Sequence, residues 1–145
     1  MEYDNEMAVS FKAIGENEAF ARTVVSAFIL GLDPCVREMN DIKTAVSEAV
    51  TNSIIHGYDN KEGIVRMWCG ICQATVYIEV TDEGKGIEDI ALAMEPLYTG
   101  RPDMERSGLG FTIMQSFMDD VKVESAVGKG TRVFMVKEIG KPEQE

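Results

Sequence analysis

The 145-residue chain reads as an α+β protein, a two-layer sandwich in which one mixed sheet carries its helices on one face. Three observations predict this. Short stretches with the two-residue period of strands appear at both ends and in the middle of the chain. Longer stretches between them repeat their apolar residues at helical spacing. The order is strand, two helices, two strands, a mixed segment, a helix and two strands, so hairpins and helices gather separately instead of alternating as in a βαβ protein.

Residues 7–11, "MAVSF", alternate apolar and polar as a half-buried strand does. From Gly15 to Leu30 the spacing predicts a helix with Phe20, Val24, Ala27 and Phe28 as its apolar stripe, stopped by Gly31. "LDP" breaks the chain, and a second helix runs from about Arg37 to His56, closed by Gly57. Strands follow at 64–69 and 75–81, around a turn placed at Gly70; in the second, Val76, Ile78 and Val80 face one way and Tyr77, Glu79 and Thr81 the other. Residues 88–106 read as a mobile segment, with a short helical piece near 87–94 and turn signals at Gly100 and Pro102. "SGLG" then opens a helix through about Met118, with Phe111, Met114, Phe117 and Met118 as its core residues. The last strands, 121–126 and 131–136, are joined by "VGKG", and the tail is expected to fray. Residues 1–145 are expected to form a single domain.

Composition narrows the function. A net charge of −11 opposes the basic footprint that a phosphate backbone requires, so no direct nucleic-acid role is expected and a basic protein partner fits the field better. No apolar run approaches the roughly 20 residues of a membrane span, and the acidic start lacks the positive region of a signal peptide, which predicts a cytoplasmic protein away from the membrane. Cys69 and Cys72 have C-x-x-C spacing, but no second pair accompanies them. With Cys35 they are expected to be free thiols in a reducing compartment.

Four short stretches can carry chemistry. On the second helix, Ile42, Val46, Ala49, Val50 and Ser53 fall on the core face at about 100° per residue. Glu48, Asn52 and His56 step along its flank, which places Glu48 and Asn52 at the rim; alone, the pair reads first as an i, i+4 hydrogen-bonded pair on a wet face. In "DEGKGI", Asp82 ends an apolar strand, where a carboxylate needs a donor such as an exocyclic amine, and Gly84 and Gly86 permit close backbone approach; a plain Asp-Gly turn reads equally well. In "RSGLGF", Gly108 and Gly110 lie where loop becomes helix, so backbone N–H groups there, with Ser107 and Leu109 in the same turn, can receive phosphates beside the Arg106 guanidinium. "GKGT" at 128–131 reads first as a hairpin turn. It is no Walker A loop, since Val123 stands where the first glycine belongs and Gly130 where the hydroxyl residue belongs.

Together, in this order, the four stretches resemble the GHKL nucleotide-binding family of gyrase and the histidine kinases. "EAVTNSIIHG" is similar to its N box, "DEGKGI" to its G1 box, "RSGLGF" to its G2 box and "GKGT" to its G3 element. The resemblance implies a Bergerat α/β sandwich that binds ATP or ADP under a mobile lid, here about residues 88–107. Within the family, "SEAVTN", "RPDMERSGLGFTIM" and "NEAFAR" are similar to the sporulation anti-sigma kinases. That implies a homodimeric protein serine kinase that inhibits a sigma factor and phosphorylates an anti-anti-sigma protein with Mg-ATP. Glu48 would be the general base and Asn52 the Mg²⁺ ligand, and Asp82 would hold adenine. Gly84, Gly86, Gly108, Gly110 and Thr131 would shape the pocket, Arg106 would approach the γ-phosphate, and Arg22 would lie on the sigma-binding surface. A stress-response anti-sigma kinase with another sigma partner and an ATP-gated binding module without catalysis stand as alternatives. Glu48 speaks against the latter, because a pure binder has no need of it. His56 is expected to be structural, hydrogen-bonded near the helix C-terminus.

Overall fold

Alternation of apolar and polar residues builds a five-stranded sheet from β1 (Asn5–Lys12), β2 (Ile64–Cys72), β3 (Thr75–Asp82), β4 (Asp120–Ala126) and β5 (Gly130–Glu138). The structure, a computed structural model, describes residues 2–94 and 106–142, and of residues 91, 92 and 106–109 the backbone alone. The strand order is β1-β2-β3-β5-β4. All four pairings are antiparallel, where a mixed sheet was expected. Chain return explains the difference. Two helices separate β1 from β2 and bring the chain back to the end where it left, so Lys12 at the end of β1 pairs with Ile64 at the start of β2.

The β2–β3 turn lies at Gln73–Ala74, not Gly70. Gln73 takes a left-handed φ of 54°, and its N–H donates to Asp4 Oδ2 at 2.7 Å. Gly70 sits inside β2 because the Trp68 and Tyr3 rings cover it; a side-chain carbon there would stand 2.7 Å from the Trp68 ring. The longer strand also decides the cysteines. Cys69 faces the helices, wholly buried, and burial pushes its thiol up to about 12, while Cys72 lies three residues on, on the other face. The two cannot chelate one ion, and the three cysteines are free thiols, as expected.

Over the inner face lie α1 (Glu16–Phe28), α2 (Val36–Asn52) and α4 (Arg106–Phe117), with α2 packed between the other two; α3 (Ile90–Ala93) is a single turn. Ile42, Val46, Ala49 and Val50 of α2 are wholly buried, on the face the sequence predicts. Phe111, Met114 and Met118 carry the α4 side of the core. The stripe of α1 is displaced from its expected position. Ala21, Val25 and Ile29 are the buried residues, whereas Phe20 is 46% exposed and Ala27 is exposed. A helix packed against another helix approaches over small residues, so Ala21 takes the contact and Phe20 turns edge-on to Phe11 with ring centroids 6.0 Å apart.

A capping box starts α2. Cys35 Sγ accepts from Glu38 N at 3.5 Å, and Glu38 Oε1 accepts from Cys35 N at 2.9 Å. The other oxygen, Oε2, accepts from Gly140 N at 2.7 Å, so one buried carboxylate ties the helix start to the end of the chain. Burial alone raises its pKa, but the two backbone donors outweigh burial and hold it below 4.5. The resulting stability is therefore present above pH 4.5 and is lost as the pH falls through the lowered value. We expect Glu38→Ala to cost about 1–3 kcal/mol at pH 7 in urea unfolding and to flatten the acid limb of stability below pH 4.5. An unchanged acid limb rules out this anchor. At the same end of the layer, buried Lys137 of β5 donates to Phe117 O, in the last residue of α4, at 2.6 Å.

Candidate functional site

Helix α2 changes pitch after Asn52. Ser53–Gly57 forms a wide turn in which Tyr58 N donates to Ser53 O, five residues back, at 3.0 Å. The sequence reading takes the helix to His56 without this change. The widening sets Gly57 directly under Asp82, where a side-chain carbon on Gly57 would stand 2.9 Å from Asp82 Oδ2. Lys85 N donates to Gly57 O at 2.9 Å, and a side chain on Gly84 would overlap that same carbonyl. The end of α2 and the "DEGKGI" loop are thus packed backbone against backbone, which requires glycine on both sides. Gly57, which the sequence marks only as a helix stop, is part of the site.

Glu48 and Asn52 converge on α4. A side-chain carbon on Gly110 would stand 3.0 Å from Asn52 Nδ2 and 3.3 Å from Glu48 Oε2. Gly110 is the fifth residue of α4, beyond the first-turn N–H groups that a helix leaves free, so this position offers close approach and not a phosphate-binding amide. Packing of α4 over α2 also corrects the exposure of Glu48. It is buried, 7% exposed, where a rim position was expected. Asn52 is partly buried, and its Nδ2 is sealed from solvent without a hydrogen-bond partner among the described residues. A buried amide left unmatched costs about 1–3 kcal/mol, a cost that a polar ligand removes. Arg106 opens α4, with Ser107, Gly108 and Leu109 after it in the first turn. Their side chains lie outside the described residues, as do positions 95–105 of the expected lid.

Asp82, the last residue of β3, is buried and oriented by two backbone donors. Its Oδ1 accepts from Gly84 N at 2.9 Å and from Thr131 N at 3.2 Å. Oδ2 receives no donor among the described residues. The loops around it are rigidly tied. Tyr58 OH accepts from Glu83 N and donates to Ile64 O, both at 2.7 Å, and Gly128 N donates to Lys85 O at 2.7 Å. Gly86 and Gly130 hold φ of +79° and +99°, where a side chain is strained. Tyr58, like Ser125 of β4, carries no signal that sequence patterning recovers, since a hydroxyl matters here only through partners distant in the chain.

Arg22 stands apart from this cluster, on α1. Its Nη2 donates to Glu18 Oε2 at 3.2 Å, and Glu18 also accepts from the hydroxyl of Ser47, the residue before Glu48. His56 is partly buried within the wide turn. The described residues contain no cluster of His, Cys, Asp and Glu able to hold a metal ion by themselves, and none of the described helices is long and apolar enough to cross a membrane.

Comparison with known proteins agrees with this geometry. The family model of the histidine kinase-like ATPase domain matches residues 13–137. An anti-sigma F factor of Clostridium botulinum (strain Alaska E43 / Type E3) is 62% identical over 93% of this chain and 95% of its own length. One from Thermoanaerobacter sp. (strain X514) is 59% identical over 97% and 98%. Among solved structures, the RsbU and RsbW domains of a Mycobacterium tuberculosis protein match with a TM-score of 0.69 at 16% identity, covering 95% of this chain and 33% of that longer one. The nucleotide-free catalytic domain of the histidine kinase ThkA matches with a TM-score of 0.56 at 13% identity, over 92% of this chain and 96% of its own. The likeness to these two structures establishes the fold, an antiparallel sheet under a helix layer, and the family-model match and high identities establish that the chain belongs to the anti-sigma F factor family, built on a histidine kinase-like ATPase domain.

Proposed function

We propose that the chain, acting as one cytoplasmic nucleotide-binding domain, inhibits a sporulation sigma factor and phosphorylates a serine of its anti-anti-sigma antagonist. The observation that carries this reading is the convergence of Glu48 and Asn52 on the bare backbone of Gly110. It puts a buried carboxylate side by side with an amide whose nitrogen has no partner among the described residues. Asp82, Gly84, Gly86 and Thr131 form the adenine end, and Ser107, Gly108, Leu109 and Gly110 with Arg106 the phosphate end. ATP is the phosphoryl donor, and ADP occupies the same pocket after transfer.

Phosphoryl transfer depends on positioning and charge neutralisation more than on covalent help. Glu48 accepts the proton of the incoming serine hydroxyl while its oxygen bonds to the γ-phosphorus and the bond to ADP breaks. The Asn52 side-chain oxygen is the hard donor that suits Mg²⁺, which keeps most of its waters and takes few protein ligands. When bound, the ion neutralises charge on the phosphates. The test is incubation with γ-labelled ATP, Mg²⁺ and the antagonist. Label is expected on an antagonist serine; its absence, with ATP bound, favours the ATP-gated binding module.

Partner binding uses surfaces away from the pocket. Arg22 on α1 is placed on the sigma-binding surface, and the acidic field draws a basic sigma segment, so raised salt is expected to weaken the complex. Salt-independent binding overturns that part. Homodimerisation is placed on the outer sheet face. Tyr3 meets Trp68 and Tyr77 edge-on with centroids 5.0 and 5.4 Å apart, and Phe134 continues the aromatic strip. Around it, Glu6, Glu79, Asp120, Glu124 and Glu138 stand against Lys12, Arg66, Lys122 and Arg132, so this face is close to neutral, at −1, on a chain of charge −11. Two copies repel least there. Trp68→Glu is expected to shift sedimentation from dimer to monomer. A dimer unaffected by it excludes this face.

A further inference from the structure

Ser125 is not among the residues placed in the nucleotide pocket, yet it stands in one row with two that are. It pairs with Thr131 across β4 and β5, and Thr131 pairs with Asp82 across β5 and β3, all three on the helix-facing side at one end of the sheet. Its hydroxyl oxygen accepts from Ile87 N at 2.8 Å, lies 3.0 Å from Gly130 O and lies 2.8 Å from Thr131 Oγ1.

A hydroxyl has one proton and two lone pairs. Gly130 O is a carbonyl and only accepts, so that contact takes the Ser125 proton. The Ser125–Thr131 contact then requires the Thr131 proton, which is the single allocation that satisfies all three contacts. Ser125 is saturated by it, accepting twice and donating once. Thr131 has spent its only proton and turns nothing but lone pairs toward the pocket. Beside it, Asp82 Oδ1 is filled by Gly84 N and Thr131 N, and Oδ2 also only accepts.

We propose that Ser125 is a specificity-determining positioning residue: by holding the Thr131 hydroxyl as a pure acceptor, it makes the end of the pocket accept an amino-bearing purine and reject a keto purine. This rests on the nucleotide-binding reading above. An exocyclic amine supplies N–H donors to Thr131 Oγ1 and Asp82 Oδ2, whereas a keto oxygen at the same position meets only lone pairs. Without Ser125 the Thr131 proton is released and rotates to serve a keto oxygen.

The test measures dissociation constants of ATP and inosine triphosphate, which exchange the exocyclic amine for a keto oxygen and the N1 lone pair for an N1–H, for wild type, Ser125→Ala, Ser125→Cys and Ser125→Thr, with thermal melts alongside. Wild type is expected to prefer ATP. Ser125→Ala is expected to narrow the preference by about tenfold, and Ser125→Thr, which keeps the hydroxyl, to retain it. A purely structural role weakens both nucleotides alike and leaves the ratio unmoved. If Ser125→Ala does not fold, Ser125→Cys gives the reading, since a thiol is too weak an acceptor to hold the Thr131 proton and the same ratio narrows. An unmoved ratio in Ser125→Ala, or in Ser125→Cys where Ser125→Ala does not fold, overturns this assignment alone, while wild type that binds neither nucleotide overturns the nucleotide reading and this assignment with it.

Discussion

Glu48→Gln is expected to lower phosphoryl transfer to the antagonist by about 10²–10⁴-fold, the usual contribution of a positioned general base, while ATP binding is retained. The substitution is chosen for its shape. Glu48 is buried against α4, and a side-chain carbon at Gly110 would already stand 3.3 Å from its Oε2, so a change of volume there disturbs the packing of α2 on α4. Glutamine keeps the volume and can still hydrogen-bond, but it cannot take a proton. A rate loss therefore reports proton acceptance and not a displaced helix. Single-turnover transfer from γ-labelled ATP, with a nucleotide titration and a thermal melt on the same preparation, separates the two. Transfer at the wild-type rate removes Glu48 from the base role. Loss of ATP binding together with transfer assigns it to packing instead.

Much of this site was legible in the sequence because it is local. The step between Glu48 and Asn52 fixes their flank of α2, and a carboxylate at the end of the apolar strand Val76–Val80 needs a partner wherever the chain goes next. What escaped depends on neighbours far along the chain. Periodicity set Glu48 at the rim of one helix, but only the arrival of α4, some sixty residues later, buries it. Likewise, no pattern marks the wide turn at Ser53–Gly57, whose purpose appears when Gly57 meets Asp82 and Gly84. The α1 stripe was misplaced for a related reason: spacing alone allows Phe20, Val24, Ala27 and Phe28 as one stripe, while helix–helix approach selected Ala21 over Phe20. Strand direction escaped too, because a sheet's sense is decided by how many segments return the chain, and not by the strands themselves.

Asp82→Asn tests the other end of the pocket, and the structure determines how the amide must sit. Gly84 N and Thr131 N both donate to Oδ1, so the amide oxygen has to take that place, and the alternative flip would aim N–H groups at N–H groups. The amide nitrogen is thereby forced into the position of Oδ2, which turns an acceptor into a donor facing the pocket. An amino-bearing purine loses a charge-assisted hydrogen bond and meets a like donor in its place. Expected is a weakening of ATP by about 1.5–3 kcal/mol, or roughly 10–150-fold, with the fold intact because both backbone donors keep their partner. The same inversion favours a keto substituent, so inosine triphosphate should lose less than ATP. Isothermal titration with the two nucleotides reads both effects. If ATP affinity is unchanged while the variant melts as wild type does, Asp82 does not hold the base, and the adenine end of the pocket has to be sought elsewhere.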